Sequence, residues 1–273
     1  MKEKVYKTSF GSIHYWVNCI DPAKPSLVFL PGLTADHRLF DRQIEYFKDR
    51  CNVLVWDAPG HGQSWPFIFE FDLMDTAKWL CSILDQEKIL SPLIVGQSMG
   101  GHLGQAFAEL YPEDIKGFIS VNSGPLPKKY MAPRELWILK RMGIFYSLCP
   151  WKLMLRLAGK GFATTAYGQK LMHDMMMTYG EDHARNRRVA GHGFKMLADA
   201  IEKDLEYALN CPAILICGEE DKISSIKRIN ETWHKETQIP LYWVKNAGHN
   251  SNADRPEIVN KIIETFVKNL EYN

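Results

Sequence analysis

The sequence predicts an α/β chain built on a doubly wound, mostly parallel sheet with an inserted helical cap. Three observations point there: six short apolar runs of strand length, helical periodicity between them, and a long stretch (125–204) in which the strand runs stop. Short continuous apolar runs suit strands buried on both faces of a parallel sheet. Their alternation with helices implies crossover connections.

The elements follow in order. "KVYKTSF" and "IHYWVNCI" alternate in polarity around Gly11 and Ser12, which predicts an opening antiparallel hairpin. The buried runs are "SLVFL" (26–30), "NVLVW" (52–56), "PLIVG" (92–96), "GFISV" (117–121), "AILIC" (213–217) and "PLYWV" (240–244). Leu73, Ala77, Leu80 and Leu84 recur at helical spacing, as do Leu103, Phe107 and Leu110 ahead of the Tyr111-Pro112 stop. Ile258, Ile262, Phe266 and Leu270 mark a final helix. From Pro125 to Asp204 only helical stretches rich in Met, Leu and aromatics are found, and a cap over the carboxyl ends of the strands is expected, where open α/β sheets bind ligands.

Composition excludes several classes. The 273 residues are enough for a sizeable core. With 33 Lys and Arg against 32 Asp and Glu, net charge gives no argument for a nucleic-acid partner. The segment "MKEKVYKTSF" lacks the apolar core of a secretory signal, and no apolar run is long enough to cross a bilayer. A cytoplasmic protein without membrane insertion is expected. Cys19, Cys51, Cys81, Cys149, Cys211 and Cys217 form no C-x-x-C pair, so neither a disulfide framework nor a zinc site is expected.

Residues 95–104, "VGQSMGGHLG", place Ser98 between Gly96 and Gly100, after an apolar run and before a helix. This is G-x-S-x-G in strand, turn, helix order. A serine hydroxyl is a poor nucleophile until a base takes its proton, and that base needs an acid to orient it. His249 lies in "NAGHNSNADRP", after the run ending at Val244, and Asp221 lies in "CGEEDKIS", after the run ending at Cys217. All three fall in loops after strand carboxyl ends, in the chain order Ser, Asp, His.

On these motifs the chain resembles α/β-hydrolases of the serine esterase and lipase type with a helical cap. The resemblance runs from the opening hairpin through "LPGLTAD", "DAPGHGQS", "VGQSMGG", "GEEDKI" and "NAGHNSNADRP" to the final helix. It implies an α/β-hydrolase core at 1–124 and 205–273 around a cap at 125–204. It implies Ser98 as nucleophile, His249 as base and then acid, and Asp221 as the residue that holds the imidazole. Glu219 and Glu220 are adjacent, but the family places its acid three residues after a glycine, here Gly218. The oxyanion donors it implies are the backbone N–H groups of Met99 and Leu33. Many relatives carry His-Gly where this chain has Pro31-Gly32, which keeps the backbone donor at Leu33.

The implied activity is hydrolysis of carboxylic esters of small or acyl-type hydrophobic substrates through an acyl-enzyme on Ser98, with no metal or organic cofactor. Serine at this position excludes the aspartate-nucleophile dehalogenases and epoxide hydrolases of the same fold. C–C hydrolases, thioesterases and aminopeptidases share the constellation. So do small-molecule receptors of this fold with slow or no turnover, and these alternatives stay open.

Other residues admit plainer roles. His61 and Asp57 fit a structural loop, and His173, His183 and His192 lack ligand spacing. Eight of eleven methionines lie between Met131 and Met196, most of them expected in helix packing, with some facing a hydrophobic substrate. Phe67, Ile68 and Phe69 are candidates for the wall of that pocket. From Pro125 to Ala200 the chain carries 13 Lys or Arg against 5 Asp or Glu. A solvated helix face explains such a surplus, and an anionic substrate or an acidic acyl-carrier protein is the alternative.

Overall fold

The computed structural model describes residues 1–18, 20–180, 182–223 and 225–271. The opening hairpin pairs β1 (Lys2–Lys7) with β2 (Ser12–Val17), and the remaining strands are β3 (Ser26–Leu30), β4 (Asn52–Trp56), β5 (Leu93–Gln97), β6 (Gly117–Val121), β7 (Ala213–Gly218) and β8 (Leu241–Val244). They form one sheet in the order β1-β2-β4-β3-β5-β6-β7-β8, with β2 antiparallel to β4 and every pair from β4 to β8 parallel. The strands reverse direction of growth at β3, whose neighbours β4 and β5 lie on either side of it. Ligands of open α/β sheets bind outside the carboxyl ends of the strands at such a switch.

Period-two alternation splits each apolar run between two cores. Val28, Leu30, Leu54, Trp56, Ile94 and Phe118 face one core, filled by α2 (Leu73–Glu87) and α3 (Met99–Leu110). Leu27, Phe29, Val53, Val55, Val95 and Ile119 face the other, filled by α1 (Asp41–Phe47) and α11 (Pro256–Glu271). This two-sided burial is why the strands read as continuous apolar runs. The run at 240–244 departs from it: β8 is the edge strand, and Tyr242 and Trp243 remain partly exposed because no strand covers them.

Between β6 and β7 the regular structure among the described residues is helical. It comprises a short 3₁₀ turn (Lys128–Tyr130), α4 (Pro133–Leu139), α5 (Met142–Leu148), α6 (Trp151–Phe162), α7 (Ala166–Met177) and α8 (His183–Lys203). These helices build no core of their own. Leu136 of α4 with Leu197 and Ile201 of α8 extend the first core, while Met154 of α6 with Met172, Met175 and Met176 of α7 extend the second. These four cap methionines are packing groups, each stabilising by about 1.5–3 kcal/mol through burial. Cys81, Cys149, Cys211 and Cys217 stand as thiols, and Cys19 lies outside the described residues.

Asp57, at the end of β4, fastens two loops beside the site. Its Oδ1 accepts from the backbone N–H of His37 and lies 2.8 Å from His37 Nδ1, and its Oδ2 accepts from Gln63 N at 2.7 Å. Asp36, His37 and Asp57 offer ligand atoms within 4.8 Å of one another. These atoms are already engaged, since Arg38 forks onto Asp36 through Nε (2.9 Å) and Nη2 (2.6 Å). Trp16 stacks on His37 at 3.7 Å between centroids. Burial disfavours the His37 imidazolium, but the hydrogen bond and charge of Asp57, with the charges of Asp36 and Asp41, outweigh it and raise the pKa above 6.5. A group with a raised folded pKa stabilises fully below its unfolded value, and that stabilisation fades as pH rises through the folded value. His37→Gln is expected to lower the thermal unfolding midpoint more at about pH 6 than at about pH 9. A loss that does not vary with pH would remove the charged pair from the account.

Candidate active site

Ser98 sits between β5 and α3 at φ 52° and ψ −117°, a conformation that side chains rarely adopt and that costs about 1–3 kcal/mol. Its neighbours over-determine it. Ser98 N donates to Val121 O of β6 at 3.0 Å, and Ser98 O accepts from Gly101 N at 2.9 Å and from Ser123 Oγ at 2.7 Å. A Cβ at Gly96 would collide with the carbonyl of Gly100, and one at Gly100 with the carbonyl of Leu30. The glycines flanking Ser98 thus serve close backbone approach across the turn.

Asp221 lies in the loop after β7, its side chain fully buried and that of His249 nearly so. His249 Nδ1 is 2.8 Å from Asp221 Oδ2. A carboxylate only accepts, so Nδ1 carries the proton and Nε2 presents its lone pair. Asp221 Oδ2 also accepts from Asn122 Nδ2 at 2.7 Å, and Oδ1 accepts from Ile223 N at 2.8 Å. Glu219 and Glu220 are exposed, so only the third acid of "GEED" reaches the histidine. Phe162, at the end of α6, sets its ring edgewise against the imidazole at 5.5 Å.

The structure brings Ser98, Asp221 and His249 to the same end of the sheet, with Asp221 and His249 in direct contact. Among the described residues no hydrogen bond joins Ser98 Oγ to His249. The two loops are tied instead through Gln97, whose Nε2 donates to His249 O at 3.0 Å and to Asn250 Oδ1 at 3.2 Å. Catalytic hydrogen bonds of this kind commonly tighten only in the substrate complex.

The loop after β3 lies against the serine. A Cβ at Gly32 would strike the Gln97 side chain and stand 3.1 Å from Ser98 Cβ, so glycine is needed here for closeness. The left-handed turn itself is made by Thr34 at φ 64°, an uncommon conformation for a β-branched residue and a second strained point beside the site. Among the described residues the N–H groups of Leu33 and Met99 donate to no protein acceptor. Met99 N–H also stands at the amino end of α3, where the helix dipole favours negative charge.

Leu33 and Met99 border a narrow, mainly apolar cleft, partly open to solvent, with about 30 Å³ of space free to a water-sized group. Phe69 and Phe71 line it, together with His61 and, from the cap, Val189, His192 and Met196 of α8. Phe67 does not. It is buried between Phe71 (5.4 Å) and Trp79 (5.5 Å) and bridges to Gly11, while Ile68 points to solvent. Alternation along 67–71 turns these aromatics one way, but only the carboxyl-terminal pair reaches the cleft.

The imidazoles nearby are held neutral. Burial pushes His192 down to about 4, reinforced by Lys195 and His61, and burial lowers His61, whose Nδ1 is anchored on Pro59 O at 3.1 Å. His102, one turn into α3, is likewise pushed to about 4 by burial and by the nearby His249.

Three contributors carry no motif of their own. Asn122 follows β6 directly and braces Asp221; a polar residue closing an apolar strand was the available signal. Gln97 occupies the variable position before the serine. Buried Asp254 in α10 (Ser251–Asp254) accepts from Gly248 N at 2.8 Å and from the N–H groups of Thr164 (2.9 Å) and Thr165 (2.9 Å), tying the histidine loop to the cap between α6 and α7.

Known proteins resemble the chain in sequence and fold. A family model described as the alpha/beta hydrolase fold matches residues 25–256. The chain is 27% identical to an uncharacterized hydrolase, YugF, of Bacillus subtilis over 93% of this chain and 94% of that one. It is 23% identical to 3-oxoadipate enol-lactonase 2 of Acinetobacter baylyi over 90% and 89% of the two chains. A thermophilic esterase from Thermogutta terrifontis superposes with a TM-score of 0.79 at 19% identity, covering 99% of each chain. With a family match over most of its length and the same eight-stranded sheet beneath it, the chain belongs to the α/β-hydrolase fold family.

Proposed function

We propose that the protein is a serine hydrolase of carboxylic esters with a small or acyl-type hydrophobic acid part. The observation that carries this reading is the buried 2.8 Å contact between His249 Nδ1 and Asp221 Oδ2, on loops that flank a serine in strained left-handed geometry. It fixes the tautomer in which Nε2 accepts a proton, and the Asp221 charge stabilises the imidazolium that results. The apolar cleft beside the Leu33 and Met99 amides supports a hydrophobic acyl group. The enol-lactonase relative and the esterase neighbour, both named for acyl–oxygen chemistry, are compatible with it.

In this reading Ser98 Oγ bonds to the ester carbonyl carbon while its proton passes to His249 Nε2. The carbonyl oxygen takes the negative charge and accepts from the Leu33 and Met99 N–H groups, each such donor being worth about 10²–10³ in rate. Collapse breaks the bond to the alkoxy oxygen, which leaves as the alcohol with the proton from His249. Water repeats the sequence on the acyl-enzyme, releasing the acid and restoring Ser98. Apart from the substrate and the attacking water, each step uses groups of the chain.

Steady hydrolysis of a p-nitrophenyl ester series of increasing acyl length is the direct assay. Ser98→Ala is expected to lower kcat by about 10⁴-fold or more, and rapid hydrolysis unchanged in that variant would overturn the assignment. A single stoichiometric burst without turnover would favour a receptor over an enzyme.

Asp221→Asn keeps the shape of the site but not the charge or the tautomer. It is expected to lower kcat by roughly 10⁴-fold with little change in KM, whereas Glu220→Gln stays within about twofold of the parent. Equal losses in the two would show that the acid has been misassigned.

A further inference from the structure

The cap surface formed by α4, α5 and α6 is unusual in both its apolar and its charged groups. α4 exposes Trp137 at 53%, α5 exposes Ile144 at 62%, Phe145 at 52% and Leu148 at 75%, and α6 exposes Leu153 at 37% and Leu157 at 54%. No residue of α5 is fully buried. Scattered single apolar residues on a surface need no explanation, but a run of this kind on three successive helices marks a binding surface.

Its unpaired charge is cationic. No Asp or Glu occurs in sequence between Glu135 and Asp174, and of the six cations in that interval Lys140 is paired with Glu202 at 2.5 Å and Lys170 with Asp174, which leaves Arg141, Lys152, Arg156 and Lys160 without an acidic partner among the described residues. On α6, Lys152, Arg156 and Lys160 recur every fourth residue, and Leu153 and Leu157 recur beside them at the same spacing. Among the described residues none of these three cations has an acidic partner. Two parallel stripes thus run along one helix, one of leucine and one of cations. At the end of α4 the Arg141 guanidinium covers the Trp137 ring at 3.9 Å.

We propose that this face of the cap docks peripherally on an anionic phospholipid surface. Long cationic side chains keep their heads in the headgroup layer while adjoining apolar side chains reach the acyl boundary. Anionic lipids complement the sign of the face, and each nearby Lys or Arg strengthens attraction to such a leaflet. A second copy of the chain is a poor occupant, because pairing this face with itself brings like charges together. An acidic protein would match the charge too, but the alternation of half-exposed leucines with cations along α6 is the pattern of a helix that lies in a lipid interface. Among the described residues no helix is long and apolar enough to span a membrane, and the contact proposed is with the surface. The proposal is independent of the catalytic reading.

The test is co-sedimentation of the full chain with phosphatidylcholine vesicles, with and without phosphatidylglycerol. Binding is expected only where phosphatidylglycerol is present and is expected to weaken as salt rises. The double variant Lys152→Glu with Arg156→Glu is expected to lower the partition coefficient by more than about tenfold. Leu153→Gln with Leu157→Gln, which leaves the charge unchanged, is expected to lower it by about tenfold as well. Both pairs lie on exposed positions, so circular dichroism and activity toward a soluble ester should match the parent. Absence of binding to phosphatidylglycerol vesicles, equal binding to neutral ones, or parent-like binding by both variants would overturn the proposal. Self-association that protects this face, or binding to an acidic carrier protein but not to vesicles, would assign the surface to a protein instead.

Discussion

Ser98 is held in a backbone conformation that a serine avoids in isolation, and much of the architecture around it answers that constraint. The turn from β5 into α3 is tight enough that Gly96, Gly100 and Leu30 meet backbone to backbone, so side chains at the two glycines would force it apart. Strain of about 1–3 kcal/mol persists only where surrounding structure over-determines it. Here β6 supplies a hydrogen bond from Val121 O, Ser123 supplies another to Ser98 O, and the sheet fixes both in register. The hydroxyl is thereby set at the amino end of α3, beside two backbone amides that have no protein acceptor among the described residues.

The second demand is electrostatic. A buried carboxylate costs several kcal/mol unless its lone pairs are satisfied. Asp221 meets this with hydrogen bonds from His249, Asn122 and the Ile223 amide, so the acid is stable only in the geometry that also orients the histidine. Asn122 is itself engaged by Ser251 Oγ, from the segment that follows the histidine loop. The ends of β6, β7 and β8 are therefore coupled through buried polar contacts, and Asp254 extends the coupling to the cap. Thr164 and Thr165 thereby tie the cap to the loop that carries His249.

Most of the sheet was legible in the sequence because strands buried on both faces leave uninterrupted apolar runs, and each of the six predicted runs became a strand within a residue of its expected ends. Edge position was not legible: "PLYWV" has the composition of an inner strand, and only the sheet order reveals that Tyr242 and Trp243 have β7 on one side and no strand on the other. Chain order and, by the family resemblance, the spacing from Gly218 single out Asp221 and His249, and the structure sets the two in contact. Asn122 was missed because its partner lies 99 residues onward and no local pattern marks the pair. Phe67 was placed in the pocket on proximity to "PGHGQS", whereas its packing against Gly11 and Trp79 depends on the distant hairpin and α2. Counting had exposed the cap's charge surplus. It did not show that the cations stand in register with exposed leucines.

In the proposed mechanism Ser98 is, among the described residues, the hydroxyl made nucleophilic by its surroundings. Exposure to a fluorophosphonate followed by peptide mass mapping tests it directly. One adduct per chain is predicted, on the peptide that contains Ser98, with labelling slowed strongly in a folded His249→Ala variant. Labelling of a different residue, or a labelling rate indifferent to His249, would contradict it.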